Sequence, residues 1–440
     1  MPGTCRASCA ASASTPDGLG PPEPSRVTVQ LLWIKVGPLL PLDTGGKIRT
    51  HAMLTELARQ HQVTWLGLRD PGEPVDPAED SAPYAREKFW VDHVTPQKRG
   101  ARFFLTLAKN QLLSRQPYAL ERYRSKALQR EIQRLCRQRD FDLVVCDFLA
   151  PALNVAPLAR RLRPHTVLFQ HNMEALIWQR LAAAKTNPLA RSYFQRQARR
   201  MARAEAALSR RFDGVITVSP DDSRIAREHY GLTNVLGHVP TGVDTNHFQP
   251  MTRRAPAEGD APVIGFLGSM DWMPNMDAVD WFLADIWPQV RKRCPGARFR
   301  IIGRNPSTAL QQRGATDPAI EVTGTVDDVR PYVAGCDLMV VPLRAGGGTR
   351  LKIPETMAMG VATLSTQVGA EGLQLPAGTC RVVSEQAAAL TDAIVELLND
   401  RSQLRSLARK GREHVCRNHS WAAAARTFAE LIKPNLKLSR

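Results

Sequence analysis

No stretch of this sequence approaches the eighteen or so consecutive apolar residues that a membrane-spanning helix needs, so no such helix is expected. The eight cysteines stand apart at 5, 9, 136, 146, 294, 336, 380 and 416, with no Cys-x-x-Cys pair. That spacing argues against a zinc ribbon or a disulfide framework and fits a reducing cytoplasm. The first 25 residues hold no apolar core and are rich in Ala, Ser, Pro and Gly. They do not read as a secretory signal, and a disordered lead-in is expected over 1–25. No repeat recurs at solenoid periods, and the dinucleotide fingerprint G-x-G-x-x-G is missing. Acidic residues are the scarcer charge, 42 against 59 Lys and Arg, for a net charge of +17. Such a balance favours anionic partners: nucleotide sugars, phospholipid faces or nucleic acid.

What is present is a strand–helix alternation long enough for two or three domains in 440 residues. Apolar runs at 26–34, 63–68, 141–148, 166–170 and 214–218 read as buried strands, with helical spacing from His51 to Gln60 and again at 191–211. Gly45 and Gly46 sit in the loop after the first strand. His171-Asn172-Met173-Glu174 follows the strand at 166–170, and the carboxyl end of such a strand is where open α/β sheets bind ligands. A polar, Pro-containing stretch at 249–261 reads as a linker. A second series then begins with strands at 263–267, 297–303, 320–323, 337–342 and 362–365. Ser420 is placed to cap a last helix that runs to about Ile432.

The stretch from Gly346 to Gly360, GGGTRLKIPETMAMG, lies between two of these strands. Glycines at a strand-to-helix turn let the backbone approach a ligand and leave N–H groups free, and the start of the following helix adds more. Arg350 and Lys352 add two cations. Glu355, one turn into a helix expected to begin near Lys352, can accept hydrogen bonds from a diol. A diphosphate carrying a ribose suits the arrangement.

This stretch, with Val368-Gly369-Ala370-Glu371-Gly372-Leu373, resembles the donor-sugar site of the group 1 (family 4) glycosyltransferases. The segment 240–250 (PTGVDTNHFQP) resembles the family's landmark at the end of its first domain, with Thr241 where Asn is usual. The Gly45-Gly46 loop resembles the family's cleft-facing loop after the first strand. In that family a pair of glutamates marks the site. Glu355 matches the second, which holds the ribose, while the first, near the donor sugar, falls on Gly347. The family's Arg and Lys for the donor phosphates are also missing from the loop at Gly268, so Arg350 and Lys352 are expected to supply that charge.

The resemblance covers about residues 26 to 435. It implies an α/β chain of the GT-B fold, two Rossmann-like doubly wound parallel-sheet domains facing across a cleft. The expected division is 26–248, a linker at 249–261, 262–418, and a helix over 419–440 crossing back to the first domain. The implied activity is retaining transfer of a sugar from a UDP- or GDP-sugar to a glycan or lipid-linked acceptor, in cell-surface polysaccharide or glycolipid synthesis, with no cofactor and no metal. Arg350, Lys352 and His171 are the expected catalytic groups. Gly45, Gly46, Gly268, Gly347, Gly348, Thr349 and Glu355 would bind the donor, and His171, Asn172 and Glu174 would face the acceptor. A nucleotide-sugar epimerase, a phosphorylase or a non-catalytic nucleotide-sugar binder are the alternatives. The segment 98–139 carries many cations and only Glu121 and Glu131 against them. It reads either as a basic amphipathic surface for an anionic membrane, peripheral on its cytoplasmic face, or as a solvated helix pair covering the sheet. It contains no nucleic-acid-binding motif.

Overall fold

The computed structural model describes residues 28–72, 76–94, 105–107, 109–110, 114–183, 187–252, 261–345 and 351–436. The lead-in at 1–25, most of the linker, part of the basic segment, and Gly346 to Arg350 lie outside the described residues.

The apolar runs form two all-parallel sheets. The first has seven strands in the order β3-β2-β1-β4-β5-β6-β7: β1 Gln30–Val36, β2 Gln62–Arg69, β3 Glu87–Asp92, β4 Leu143–Asp147, β5 His165–Phe169, β6 Gly214–Thr217 and β7 Val235–His238. The second has six in the order β10-β9-β8-β11-β12-β13: β8 Val263–Leu267, β9 Arg298–Ile302, β10 Ile320–Val322, β11 Leu338–Val341, β12 Ala362–Thr366 and β13 Arg381–Val383. Strand order reverses once in each sheet, between β1 and β4 and between β8 and β11. Each reversal splays the connections at the strands' carboxyl ends and opens a crevice there.

The helices that matter for the crevices are α1 Gly45–Ala58, α2 Lys126–Gln138, α3 Glu174–Ala183, α4 Pro188–Ser209, α5 Pro220–Glu228, α6 Met273–Trp281, α7 Lys352–Ala358, α8 Ala387–Asn399, α9 Arg401–Asn418 and α10 Trp421–Ile432. Helix α1 begins at the two glycines rather than near His51, with Thr44 extended before it. A Cβ on Gly46 would lie 3.0 Å from the Phe148 ring, so a bare backbone lets this first turn lie against β4. Ser219 Oγ accepts from Asp222 N at 3.1 Å and caps α5, with Pro220 at its first position. Ser420 Oγ accepts from Ala423 N at 3.1 Å and caps α10.

Helix α10 belongs to the core of the first sheet. Phe428 packs on Trp33 and Phe169, ring centroids 5.6 Å away in both cases. Trp421, Ala424 and Ile432 are buried in the same cluster. Where α10 arrives, Gly242 is required: a Cβ there would stand 2.6 Å from the Trp421 ring and 2.9 Å from its Cα. In the described part of the basic segment, α2 turns Leu128, Ile132 and Leu135 into the core under the sheet. Its apolar face is therefore used by the fold, and Lys126, Arg130, Arg134 and Arg137 remain outside.

Candidate active site

The first crevice is filled. Along β1 successive side chains alternate, so Trp33 and Lys35 share a face, and Asp147 at the end of β4 meets them. Asp147 Oδ2 accepts from Trp33 Nε1 (3.0 Å), Lys35 Nζ (3.0 Å) and Thr50 Oγ1 of α1 (2.6 Å). His171 Nε2, two residues beyond β5, stands 2.6 Å from Asp147 Oδ1. The His171 ring lies on Phe148, centroids 3.8 Å apart, and Lys35 Nζ sits 4.0 Å from the same ring on its way to Asp147. Phe148 holds φ at 72°, a left-handed conformation that side chains rarely take. All of these polar groups are buried. Burial opposes the Asp147 charge, yet Lys35 and His171 beside it and the Thr50 hydroxyl hold its carboxyl well below the usual range. Burial also pushes His171 down to about 3, despite Asp147, so its imidazole is neutral at pH 7. Arg49, next to Thr50, donates to Thr241 Oγ1 (2.5 Å) and Val239 O (2.6 Å), tying α1 to the end of β7.

A second buried carboxylate fixes the loop after β5. Glu205 of α4 accepts from Gln170 Nε2 (3.0 Å), Glu174 N (2.9 Å), Ala175 N (3.3 Å) and Tyr230 Oη (2.7 Å). It satisfies orphan N–H groups of α3 from another helix, and burial raises its carboxyl to about 7. The cluster read from sequence is thereby divided. His171 is buried against Asp147, Glu174 is half-buried with its backbone held by Glu205, and Asn172 is exposed in the cleft.

The second crevice is built by glycine. Gly268 follows β8 and Gly303 follows β9, and a Cβ on Gly303 would stand 1.8 Å from Gly268 O, so no side chain fits there. Lys352, first residue of α7, reaches this loop. Its Nζ donates to Asn275 Oδ1 (2.7 Å), and Asn275 Nδ2 donates to Ser269 O (2.8 Å). Lys352 Nζ also lies 4.7 Å from the Phe266 ring, and a Cβ on Gly268 would be 2.9 Å from it. Gly268 and Lys352, distant in sequence, are thus brought together. Arg304, just past Gly303, donates to Ser269 Oγ (2.9 Å) and adds a cation from the end of β9 to the loop. Glu355 lies one turn into α7 with no hydrogen bond to its carboxylate among the described residues. Burial pushes it up to about 7, against the pull of Lys352. Gly347, Gly348, Thr349 and Arg350 fall outside the described residues.

Between the sheets lies a cavity of about 310 Å³. Asn172, Ser219, Asp222 and Thr241 line it from the first half, and Pro354, Gly372 and His419 from the second. Sequence reasoning passed over Lys35, Arg49, Asp147, Glu205, Asn275 and His419. For Lys35 and Asp147 a signal existed, a charge of each sign at the ends of two otherwise apolar strands. Among the described residues no group of three or more His, Cys, Asp or Glu is placed to hold a metal.

Two family descriptions match this chain: Glycosyltransferase Family 4 over residues 44–247 and Glycosyl transferases group 1 over 261–400. Between them they take in the first sheet from α1 onward, without β1, and the whole of the second sheet. The chain is a group 1 (family 4) glycosyltransferase. This glycosyltransferase is 25% identical over 321 residues to a GDP-mannose-dependent alpha-(1-6)-phosphatidylinositol monomannoside mannosyltransferase of Mycolicibacterium smegmatis, a match covering 68% of this chain and 78% of the relative. A Mycobacterium tuberculosis protein of the same name is also 25% identical, over 69% and 78%. Among solved structures, sucrose-phosphate synthase from Thermosynechococcus elongatus superposes with a TM-score of 0.61 at 18% identity, covering 92% of this chain and 99% of that one. The Anabaena protein HepE, solved with UDP and glucose, superposes at 0.55 with 13% identity over 92% and 99%. The glycosyltransferase has the GT-B fold, as its two parallel sheets facing one cleft already indicate.

Proposed function

We propose that this glycosyltransferase moves a hexosyl group from a nucleotide sugar, GDP-mannose ahead of UDP-sugars, to a lipid-linked or glycan acceptor with retention at the anomeric carbon. The observation that carries the reading is Lys352: a cation held by Asn275 and the Phe266 face over a glycine crevice at a strand-order reversal, with Glu355, unpaired among the described residues, one turn on. The mannosyltransferase relatives support a GDP-sugar donor and a glycolipid acceptor.

In this reading the acceptor hydroxyl attacks the anomeric carbon on the face the diphosphate leaves. The sugar–phosphate C–O bond breaks with its electron pair going to the diphosphate, and the hydroxyl proton passes to a phosphate oxygen. Lys352, with Arg350, stabilises the charge that grows on the leaving group, where preorganised cations act most strongly. Glu355 accepts from the ribose diol. Asp147 and Glu205 hold His171 and Asn172 in place at the end of β5. The enzyme works at the cytoplasmic face of a membrane, drawn there by outward cations such as Arg130 and Arg137. Among the described residues no helix is long and apolar enough to cross the membrane.

Incubating the purified protein with GDP-mannose or UDP-glucose and a mannosylated lipid extract tests the proposal. A radiolabelled product with an α-anomeric proton in its NMR spectrum is expected. Release of free nucleotide without product, or tight nucleotide binding without turnover, would return the choice to the epimerase, phosphorylase or binder.

A further inference from the structure

One buried side chain in the interdomain cavity has polar atoms that no described residue satisfies. His419 stands where the chain passes from α9 to α10. Its carbonyl accepts from Val243 N at 2.7 Å, and the adjacent Ser420 pairs with Val243 in a single bridge. The residue is 7% exposed, and what remains open faces the cavity. Its ring touches His414, centroids 5.2 Å apart, yet neither of its nitrogens has a hydrogen-bond partner among the described residues. Burial holds the imidazole down at about 4, so near pH 7 it is neutral and offers one donor and one acceptor.

The surroundings limit what those two atoms can meet. Asp221 and Asp222 start α5 on the opposite wall, with Thr241 and Asn172 nearby. Arg224, the cation at this wall, is engaged by Asp221 at 3.2 Å and Glu228 at 3.6 Å. An anion would face carboxylates, whereas vicinal hydroxyls find acceptors in those carboxylates and both kinds of partner in His419. Met173, Leu176, Ile177 and Leu373 give the rest of the wall an apolar face that can cover the C–H face of a ring, and Glu371 beside them adds a further carboxylate acceptor. Its volume of about 310 Å³ is at the small end of the ~300–1,000 Å³ of ligand pockets, right for one ring rather than a nucleotide. Pro354, on the same helix as Lys352 and Glu355, borders the cavity and puts it beside the donor crevice. Ile177 and Leu181, one turn apart on α3 and about 40% exposed, carry the apolar wall outward.

We propose that this cavity is the acceptor subsite, that it takes a neutral polyol ring hydrogen-bonded by His419, and that an apolar chain attached to the ring leaves along Ile177 and Leu181. The inference rests on the glycosyl-transfer reading and adds to it the place and chemical class of the acceptor.

The test uses the full chain with GDP-mannose as donor and octyl α-mannoside, methyl α-mannoside and mannose 6-phosphate as acceptors. Saturation-transfer NMR of octyl α-mannoside provides a binding readout that needs no turnover. Octyl α-mannoside is expected to be the best of the three. His419→Ala should raise its KM about tenfold, the worth of one hydrogen bond, and weaken its NMR signal, with the GDP dissociation constant unchanged. His419→Asn should recover part of the loss. Ile177→Asp, a surface change that spares the fold even if His419→Ala does not, should erase the preference for octyl over methyl. Unchanged octyl α-mannoside KM and NMR signal in His419→Ala and Ile177→Asp would overturn the subsite and leave the transferase reading standing. A preference for mannose 6-phosphate would overturn the neutral ring. Failure of the wild type to bind GDP-mannose, UDP-glucose, GDP or UDP at all would remove the transferase reading, and the subsite with it.

Discussion

The two sheets reverse strand order in the same way and treat the resulting crevice in opposite ways. At the β1/β4 reversal the opening is occupied by the protein itself, with Lys35, Thr50, Asp147 and His171 closing on one another out of contact with water. At the β8/β11 reversal glycines 268 and 303 keep the floor low, and the Lys352 cation leans over it. The topology supplies a crevice in both. Side-chain volume and charge pairing decide which one a ligand can enter, and the filled one becomes a rigid wall that presents Asn172 and Thr241 to the cleft. Buried charge in the first crevice should therefore matter to folding, and half-buried charge in the second to turnover.

The sharpest way to break this contrast is to remove one lysine from each. Lys35→Ala leaves Asp147 charged and buried without its cation, which should cost about 3–5 kcal/mol of stability in denaturant unfolding. The double variant Lys35→Met/Asp147→Asn should lose less than the sum of its two single changes, because the pair acts as a unit. Lys352→Ala should leave the unfolding midpoint nearly unchanged while lowering kcat about 10²-fold, equivalent to ~2.7 kcal/mol of barrier. If Lys352→Ala instead lowers the unfolding midpoint as much as Lys35→Ala and keeps its kcat, the two crevices do not differ in the way proposed.

The fold was largely legible because buried parallel strands announce themselves as apolar runs, and those at 63–68, 141–148, 214–218 and 263–267 fall on observed strands. The edge strand Glu87–Asp92 was not, since its half-exposed residues, EKFWVD, mix charges with aromatics and carry no clean period. The β5 loop was found from its polar cluster, but which member would be buried was not, because that depends on Asp147 and Glu205, 24 and more residues away in sequence. Gly268 and Lys352 could each be nominated from local turn chemistry, whereas Asn275, which joins them, has no local signature at all. Long-range polar partners are chosen by geometry that exists only after the sheets have formed.

A smaller effect is expected from Glu355. If its carboxylate meets the ribose diol, Glu355→Ala should weaken GDP binding by about 1–3 kcal/mol in calorimetry, since a hydrogen bond to a charged group is lost. Asp147 sits in the other crevice, behind protein. Asp147→Asn should therefore leave GDP affinity intact, and a loss there equal to that of Glu355→Ala would mean that the nucleotide contacts both.

The smallest effect concerns pH. The Glu355 carboxyl is raised by burial to about 7 from its ordinary value of 4.5. A raised acid holds its proton in the folded state while the unfolded chain has released it, so between about pH 4.5 and 7 the native state binds more protons. Stability from this group therefore falls as pH rises through that window, and the penalty is complete above about pH 7. Glu355 is partly open to solvent, so screening keeps the change to about 1 kcal/mol or less. Glu355→Gln, which carries no charge at any pH, should be more stable than the wild type at pH 8 and indistinguishable from it at pH 5, read as urea midpoints. GDP should reverse the sign of its partner's preference: if the ionised carboxylate accepts from the ribose, affinity for GDP rises as pH climbs from 6 to 8 in the wild type and stays flat in Glu355→Gln. A pH-independent GDP affinity in the wild type would separate Glu355 from the nucleotide and leave the raised carboxyl as a property of the α7 packing alone.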